Sequence, residues 1–151
     1  MYILINNYGF IFSKNLLIDK LYIITYVATP LSWLMFKDEC WISYLLNKYE
    51  NPNYVLGSNT DSKDIIAFYG NKQRYYIFFN INHFLRWFSF IIINNRTTNI
   101  SYNFLIPTFL LYSLYNYDIT YNINYRKAVY PYFQIILAIH LIYTIFQTIK
   151  L

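Results

Sequence analysis

The charges of this chain are confined to short stretches, and that confinement limits what it can fold into. Four windows, 21–36, 75–93, 100–117 and 128–149, contain a single charged side chain between them, Arg86. A hydrocarbon core about 30 Å thick is crossed by roughly 20 residues of helix, so windows of this size are the signature of a chain that lives in lipid. Composition supports the same conclusion. Hydrophobic residues make up 57% and aromatic residues 23%, while only 13% are charged, about half the share that covers an ordinary soluble domain. Disorder is excluded from the other side, because a chain this apolar buries itself. The single cysteine, Cys40, excludes an intramolecular disulfide framework.

The fold class expected is therefore all-α: a four-span transmembrane bundle in one integral membrane domain, 1–151. Window 21–36 lies between Asp19, Lys20 and Lys37, Asp38, Glu39 and covers only about 24 Å at 1.5 Å per residue. Window 75–93 is the least hydrophobic, carrying Asn80, Asn82, His83, Arg86 and Ser89. Window 100–117 has Pro107 near its middle, where a missing N–H weakens a helix. Window 128–149 follows Arg126 and Lys127, with Pro131 expected in its first turn. Residues 2–12 are apolar but too short to span, and read as an interfacial or packed segment. None of the windows alternates as a membrane barrel strand does.

Connections of about 6 and about 10 residues after the second and third windows force antiparallel hairpins, giving up-down-up-down topology. Lys14, Lys20, Arg96 and Lys150 then lie on one side, and Lys37, Lys48, Lys63, Lys72, Arg74, Arg126 and Lys127 on the other. The excess of cations puts the long loop in the cytoplasm or its equivalent. The sequons at Asn95 and Asn99 fall in the opposite loop, too near the membrane to be modified.

Residues 37–74 form the one polar loop and hold five of the seven acids. Ile42, Leu45, Leu46 and Tyr49 recur at helical spacing, with Asp38 as the expected N-cap and Asn51-Pro52 as the stop. This predicts a short surface helix with Trp41 and Tyr44 at headgroup level. A turn-rich stretch, 57–62, and a brief apolar return, 65–69, follow.

The run Trp33-Leu34-Met35-Phe36-Lys37-Asp38-Glu39-Cys40-Trp41-Ile42-Ser43-Tyr44, followed by Asn51-Pro52-Asn53-Tyr54-Val55-Leu56-Gly57, resembles a pattern in small uncharacterised multi-pass membrane proteins of large nucleocytoplasmic DNA viruses. The similarity carries no catalytic signature. It departs at Leu46-Asn47-Lys48, where a Glu-Lys-rich stretch is expected. What it implies is a virion membrane protein whose partner is a capsid component.

Asn80, His83 and Arg86 share a face of the second window, and His140, Thr144 and Gln147 share one of the fourth. Polar groups at membrane depth face the bundle interior and are partnered. The two stripes therefore serve either as interhelical hydrogen bonds that fix register or as an ion or proton path, and the absence of an acid in any window favours register. Trp41, Tyr44 and Tyr54 are the candidate partner contacts. Tyr112, Tyr115, Tyr117, Tyr121, Tyr125, Tyr130 and Tyr132 gather around the third loop and read as a headgroup belt. Cys40 has no second soft ligand nearby, so no metal is expected. Arg126-Lys127 is the longest basic run, which argues against nucleic acid.

The chain also favours residues with AT-rich codons, so abundance of Tyr and Asn is not by itself a motif. The function expected is structural and non-enzymatic, with no cofactor: an anchor in a lipid bilayer that presents its polar loop to a protein partner. The alternatives are a small channel using the His83, Arg86 and His140 face, or an accessory subunit of an organelle-encoded respiratory complex.

Overall fold

A computed structural model of the chain describes residues 14–59, 66, 69–121 and 123–150. The segment 2–12, and most of 57–69 beyond the first turn, lie outside these residues. Among the described residues these helices follow one another: α1 (Leu16–Met35), α2 (Trp41–Glu50), α3 (Lys72–Arg96), α4 (Tyr102–Tyr121), α5 (Tyr125–Ala128) and α6 (Tyr132–Lys150). The architecture is all-α, with no strand among the described residues.

Capping chemistry sets where the long helices begin. The Asn15 carboxamide accepts from the N–H groups of Leu17 (2.9 Å) and Ile18 (3.3 Å), which starts α1 ahead of the charge-free window and draws Asp19 and Lys20 into the helix. Asn71 does the same for α3 through the N–H of Arg74 at 2.8 Å. The last helix starts later than expected, at Tyr132 rather than residue 128. Asn124 adopts left-handed backbone, φ +69°, and α5 forms a separate short turn. Pro131 stands just ahead of α6, where its carbonyl accepts from Ile135 N–H (3.0 Å).

Asp38 is not the cap of α2. Its φ of +69° turns its carboxylate away from the helix, and Cys40 takes the N-cap position without a side-chain bond. The helix stops at Asn51 as the sequence predicts, and Trp41, Ile42, Leu45, Leu46 and Tyr49 all face outward.

The four long helices pack in alternating directions, as the cross-helix contacts require. Asp19, Tyr26 and Trp33 of α1 meet Arg96, His83 and Phe79 of α3 in reverse order. Tyr76 and Trp87 of α3 meet Tyr121 and Phe109 of α4. Phe104 and Tyr115 of α4 meet Tyr143 and Phe133 of α6. The core is built around Ile23, Phe90, Ile93, Leu105, Tyr115, Leu137 and Leu141.

Polar side chains are equally prominent inside. Asp19, Glu39, His83, Ser89, Asn94, Thr108, Asn116, Asp118, Arg126, Thr144 and Thr148 are buried, whereas Ile77, Ile81, Phe84, Phe88, Ile106, Leu110, Leu114, Ile135, Ile139, Ile142 and Phe146 are exposed. Two helices, α3 and α6, are long and apolar enough to cross a membrane, with mean hydropathy 1.3 and 1.5. Averaged over its length, α3 is the least apolar of the four long helices, as the sequence ranks it, but it contains a stretch of Phe and Ile long enough to span; α1 includes Asp19 and Lys20, and α4 carries Tyr and Asn along its length.

Candidate functional site

Ionic groups collect at the two ends of the bundle. At one end Arg126, brought in by α5, donates from Nε to Asp38 Oδ2 at 2.8 Å and from Nη1 to Asp118 Oδ2 in a very close pair. Asp118 also receives the N–H of Tyr125 (2.9 Å), and Asp38 the hydroxyl of Tyr115 (2.5 Å). Asp118, in the last turn of α4, is fully buried, and the Arg126 side chain is 3% exposed. Burial works against the Arg126 cation, but its bonds to Asp38 and Asp118 outweigh that penalty and raise its pKa above the ordinary arginine value. Burial, then the Asp118 charge, pushes the Tyr125 hydroxyl up to about 12.

At the opposite end Arg96 chelates Asp19, from Nε to Oδ2 at 2.8 Å and from Nη2 to Oδ1 at 2.5 Å, while Thr97 Oγ1 donates to Oδ2 at 2.6 Å. These groups and Lys14 line an open pocket of about 330 Å³. Nearby, the buried Asn94 carboxamide accepts from Ile100 N–H (2.9 Å) and donates to Ile100 C=O (3.0 Å), closing the turn between α3 and α4.

The polar loop has its own centre in Glu39, which is 1% exposed. Its Oε1 receives the Tyr54 hydroxyl (2.7 Å) and the Asn47 amide (3.3 Å), and its Oε2 the N–H of Gly57 (2.9 Å). Gly57 has φ +85°, and a Cβ there would sit 2.9 Å from Lys37 Cβ, so both conformation and space call for glycine. Burial, foremost, raises the pKa of the Tyr54 hydroxyl. Tyr44 packs on Tyr54 and Phe36. Of the three candidate partner contacts, Trp41 is exposed, while Tyr44 and Tyr54 are half-buried in this cluster.

The two polar stripes do not meet one another. His83 Nε2 lies 3.0 Å from Ser113 Oγ among the rings of Tyr26, Phe109 and Tyr112. His140 Nδ1 lies 2.8 Å from Thr108 Oγ1, its ring stacked on Phe104. Because the Thr108 proton is used on the Phe104 carbonyl, His140 is the donor. Thus α4 separates the histidines, each bonded to its own hydroxyl. Thr144 is buried and donates to the His140 carbonyl (2.9 Å); Asn80 and Gln147 are half-buried. Arg86 lies over the rings of Tyr26 (4.9 Å) and Tyr22 (5.9 Å).

The tyrosine belt divides. Tyr112 and Tyr115 belong to the core, and Tyr125 is half-buried; Tyr117, Tyr121, Tyr130 and Tyr132 are exposed. Sequence reading missed both ionic clusters and the Glu39 hub. The available signal was sidedness: Asp19 falls on the same side as Arg96, and Asp38 and Asp118 on the same side as Arg126.

Among the described residues, no group of three or more His, Cys, Asp or Glu side chains comes together to hold a metal ion. Comparison of the chain with protein-family models, curated proteins and solved structures finds no match.

Proposed function

We propose that all four long helices cross a bilayer and that the protein is a structural membrane anchor, without enzymatic activity, whose polar loop contacts a protein partner. The observation that carries this is the inverted distribution of polarity. Apolar stripes run along the outside of α3, α4 and α6 at spacings of three and four, and the interior holds paired ions, histidines, threonines and asparagine. In water such stripes are an aggregation surface. In lipid they meet their own solvent, and packing specificity falls to the polar groups inside.

The small share of the apolar windows buried in the bundle, 22% for α3 and 28% for α6, supports the same reading, since the core helix of a soluble domain is mostly buried. On this reading the outward apolar face of α2 lies in the headgroup layer, and the loop ordered by Glu39 stands above it. The two histidines are register pins, since each is bonded to a different turn of α4. The resemblance of residues 33–44 and 51–57 to the viral membrane proteins supports reading the bilayer as an inner virion membrane and the partner as a capsid component.

The test is accessibility to a membrane-impermeant maleimide in sealed vesicles, in a Cys40→Ala background. Asn53→Cys and Lys127→Cys label from one side, and Asn95→Cys and Lys14→Cys from the other. Labelling of Asn95→Cys from the same side as Asn53→Cys refutes four spans. For the virion assignment, the protein copurifies with particles and survives a salt wash; recovery from infected-cell membranes alone overturns it.

A further inference from the structure

We infer that the seam between α1 and α3 is the docking site for a transmembrane helix of another protein, one carrying a carboxylate at mid-membrane depth, with Arg86 as the recognising residue. The inference rests on the four-span reading. Of the four arginines, Arg74 is exposed in the first turn of α3, and the other three differ in how they are paired. Arg96 is chelated by Asp19, and Arg126 is held between Asp38 and Asp118. Arg86 pairs with no carboxylate among the described residues, and its buried Nε has no hydrogen-bond partner. Its contacts are the faces of Tyr22 and Tyr26. Those rings attract the cation but accept none of its N–H groups, and arginine cannot shed its charge.

Position makes this costly. Along α3, Arg86 stands about 15 Å from Arg96 and about 21 Å from Lys72, close to half the thickness of a hydrocarbon core from either end. A charge at that depth pairs with another group or sits in a wet cavity. Lipid phosphate is too far away to supply the pair. Nor do the described residues of a second copy supply it, because every acid among them, from Asp19 to Asp118, lies in a loop or near a helix end.

The seam is also shaped for close approach. Arg86 is half-buried: its Nε is enclosed, and part of the residue stays open to the surroundings. On α1, Thr25 and Thr29 flank the Tyr22 and Tyr26 face on the side away from buried Ile23 and Val27, at 100° per residue. Both hydroxyls are turned onto their own helix, Thr25 to the Tyr22 carbonyl (3.0 Å) and Thr29 to the Thr25 carbonyl (2.9 Å). They present small side chains that ask nothing of an arriving helix, which is what intimate membrane packing uses.

The experiment places the full chain, donor-labelled, in phosphatidylcholine vesicles with acceptor-labelled leucine-rich helices of about 20 residues whose central residue is Asp, Asn or Leu. Energy transfer should report about tenfold tighter association for the Asp helix than for the other two. Arg86→Leu should abolish the preference, and Arg86→Lys should keep part of it. Equal association of all three helices with the wild-type chain overturns the inference without recourse to any variant. So does an Asp preference that survives Arg86→Leu, or self-association of the chain that depends on Arg86. A chain that alkaline washing strips from the vesicles overturns the four-span reading as well, whereas an embedded chain indifferent to the Asp helix overturns this inference alone.

Discussion

Arg126→Met tests whether the ionic cluster at the α4 and α5 end holds the bundle together. The substitution keeps much of the side-chain volume and removes the cation. Asp38 retains the Tyr115 hydroxyl and is 20% exposed, so water can reach it; Asp118 retains only the Tyr125 N–H and is fully enclosed. The cost therefore falls mainly on Asp118, and removing one partner of a buried pair destabilises by about 3–5 kcal/mol. That is a shift of roughly two to four powers of ten in the folding equilibrium. In the double variant Asp118→Asn/Arg126→Met the stranded charge is gone, and at least half of the loss should return. The assay is reversible unfolding in mixed micelles followed by circular dichroism. The reasoning is refuted if Arg126→Met lies within about 1 kcal/mol of the parent, or if the double variant is less stable than the single one.

Three further outcomes follow from particular contacts. Asn94→Leu strands the N–H and C=O of Ile100 in a buried turn and should cost about 2–4 kcal/mol in the same unfolding assay. Gly57→Ala brings a Cβ against Lys37 and forces a left-handed residue, so it should loosen the Glu39 loop, read as faster proteolysis between α2 and α3, without changing the helicity of the bundle. Tyr125→Phe removes a buried hydroxyl that has no partner, and should leave stability unchanged or higher near neutral pH. The wild-type hydroxyl ionises near 12 in the folded chain, against about 10 when unfolded, so the folded state holds its proton longer; the stability this contributes is complete below pH 10 and lost between pH 10 and 12. The Phe variant should lack that part of the alkaline decline in a pH-dependent unfolding series.

The helices were legible because charge interrupts the sequence near the places where the chain turns. Their limits were less so. Asn15 caps α1 from outside the apolar window, and Asp19, which looks like a boundary, is inside the helix because Arg96 neutralises it across the bundle. Asp38 stands where a cap residue should, but its partner Arg126 is 88 positions away, a distance that local pattern cannot register. Tyrosine is ambiguous for a different reason. The same ring suits a headgroup layer or an aromatic core, and only the neighbours across the helix interface send Tyr112 and Tyr115 inward and leave Tyr117 outside. Helical spacing puts His83 near Arg86 and His140 near Thr144, but spacing along one helix says nothing of which turn of α4 receives each ring.

The positions of the polar groups explain how so small a core can select one packing. On the four-span proposal the outer stripes meet lipid, where exchanging one apolar contact for another changes little, so those stripes cannot specify how the helices mate. Directional contacts must do it, and here they occur at three levels along the bundle. Asp19 with Arg96 fixes α1 against α3 at one end. His83 with Ser113 and His140 with Thr108 fix α3 and α6 against α4 in the middle. Arg126 ties Asp38, three residues past the end of α1, to the last turn of α4 at the other end. Sliding any long helix by one turn, about 5.4 Å, would break at least one of these bonds and leave a buried polar group without a partner. Arg86 is the exception midway along α3, a donor that the pairing among the described residues leaves unused. A fold that partners His83 and His140 and leaves this enclosed donor beside a seam has an unfilled valence, which is the physical reason to look for its complement on another chain.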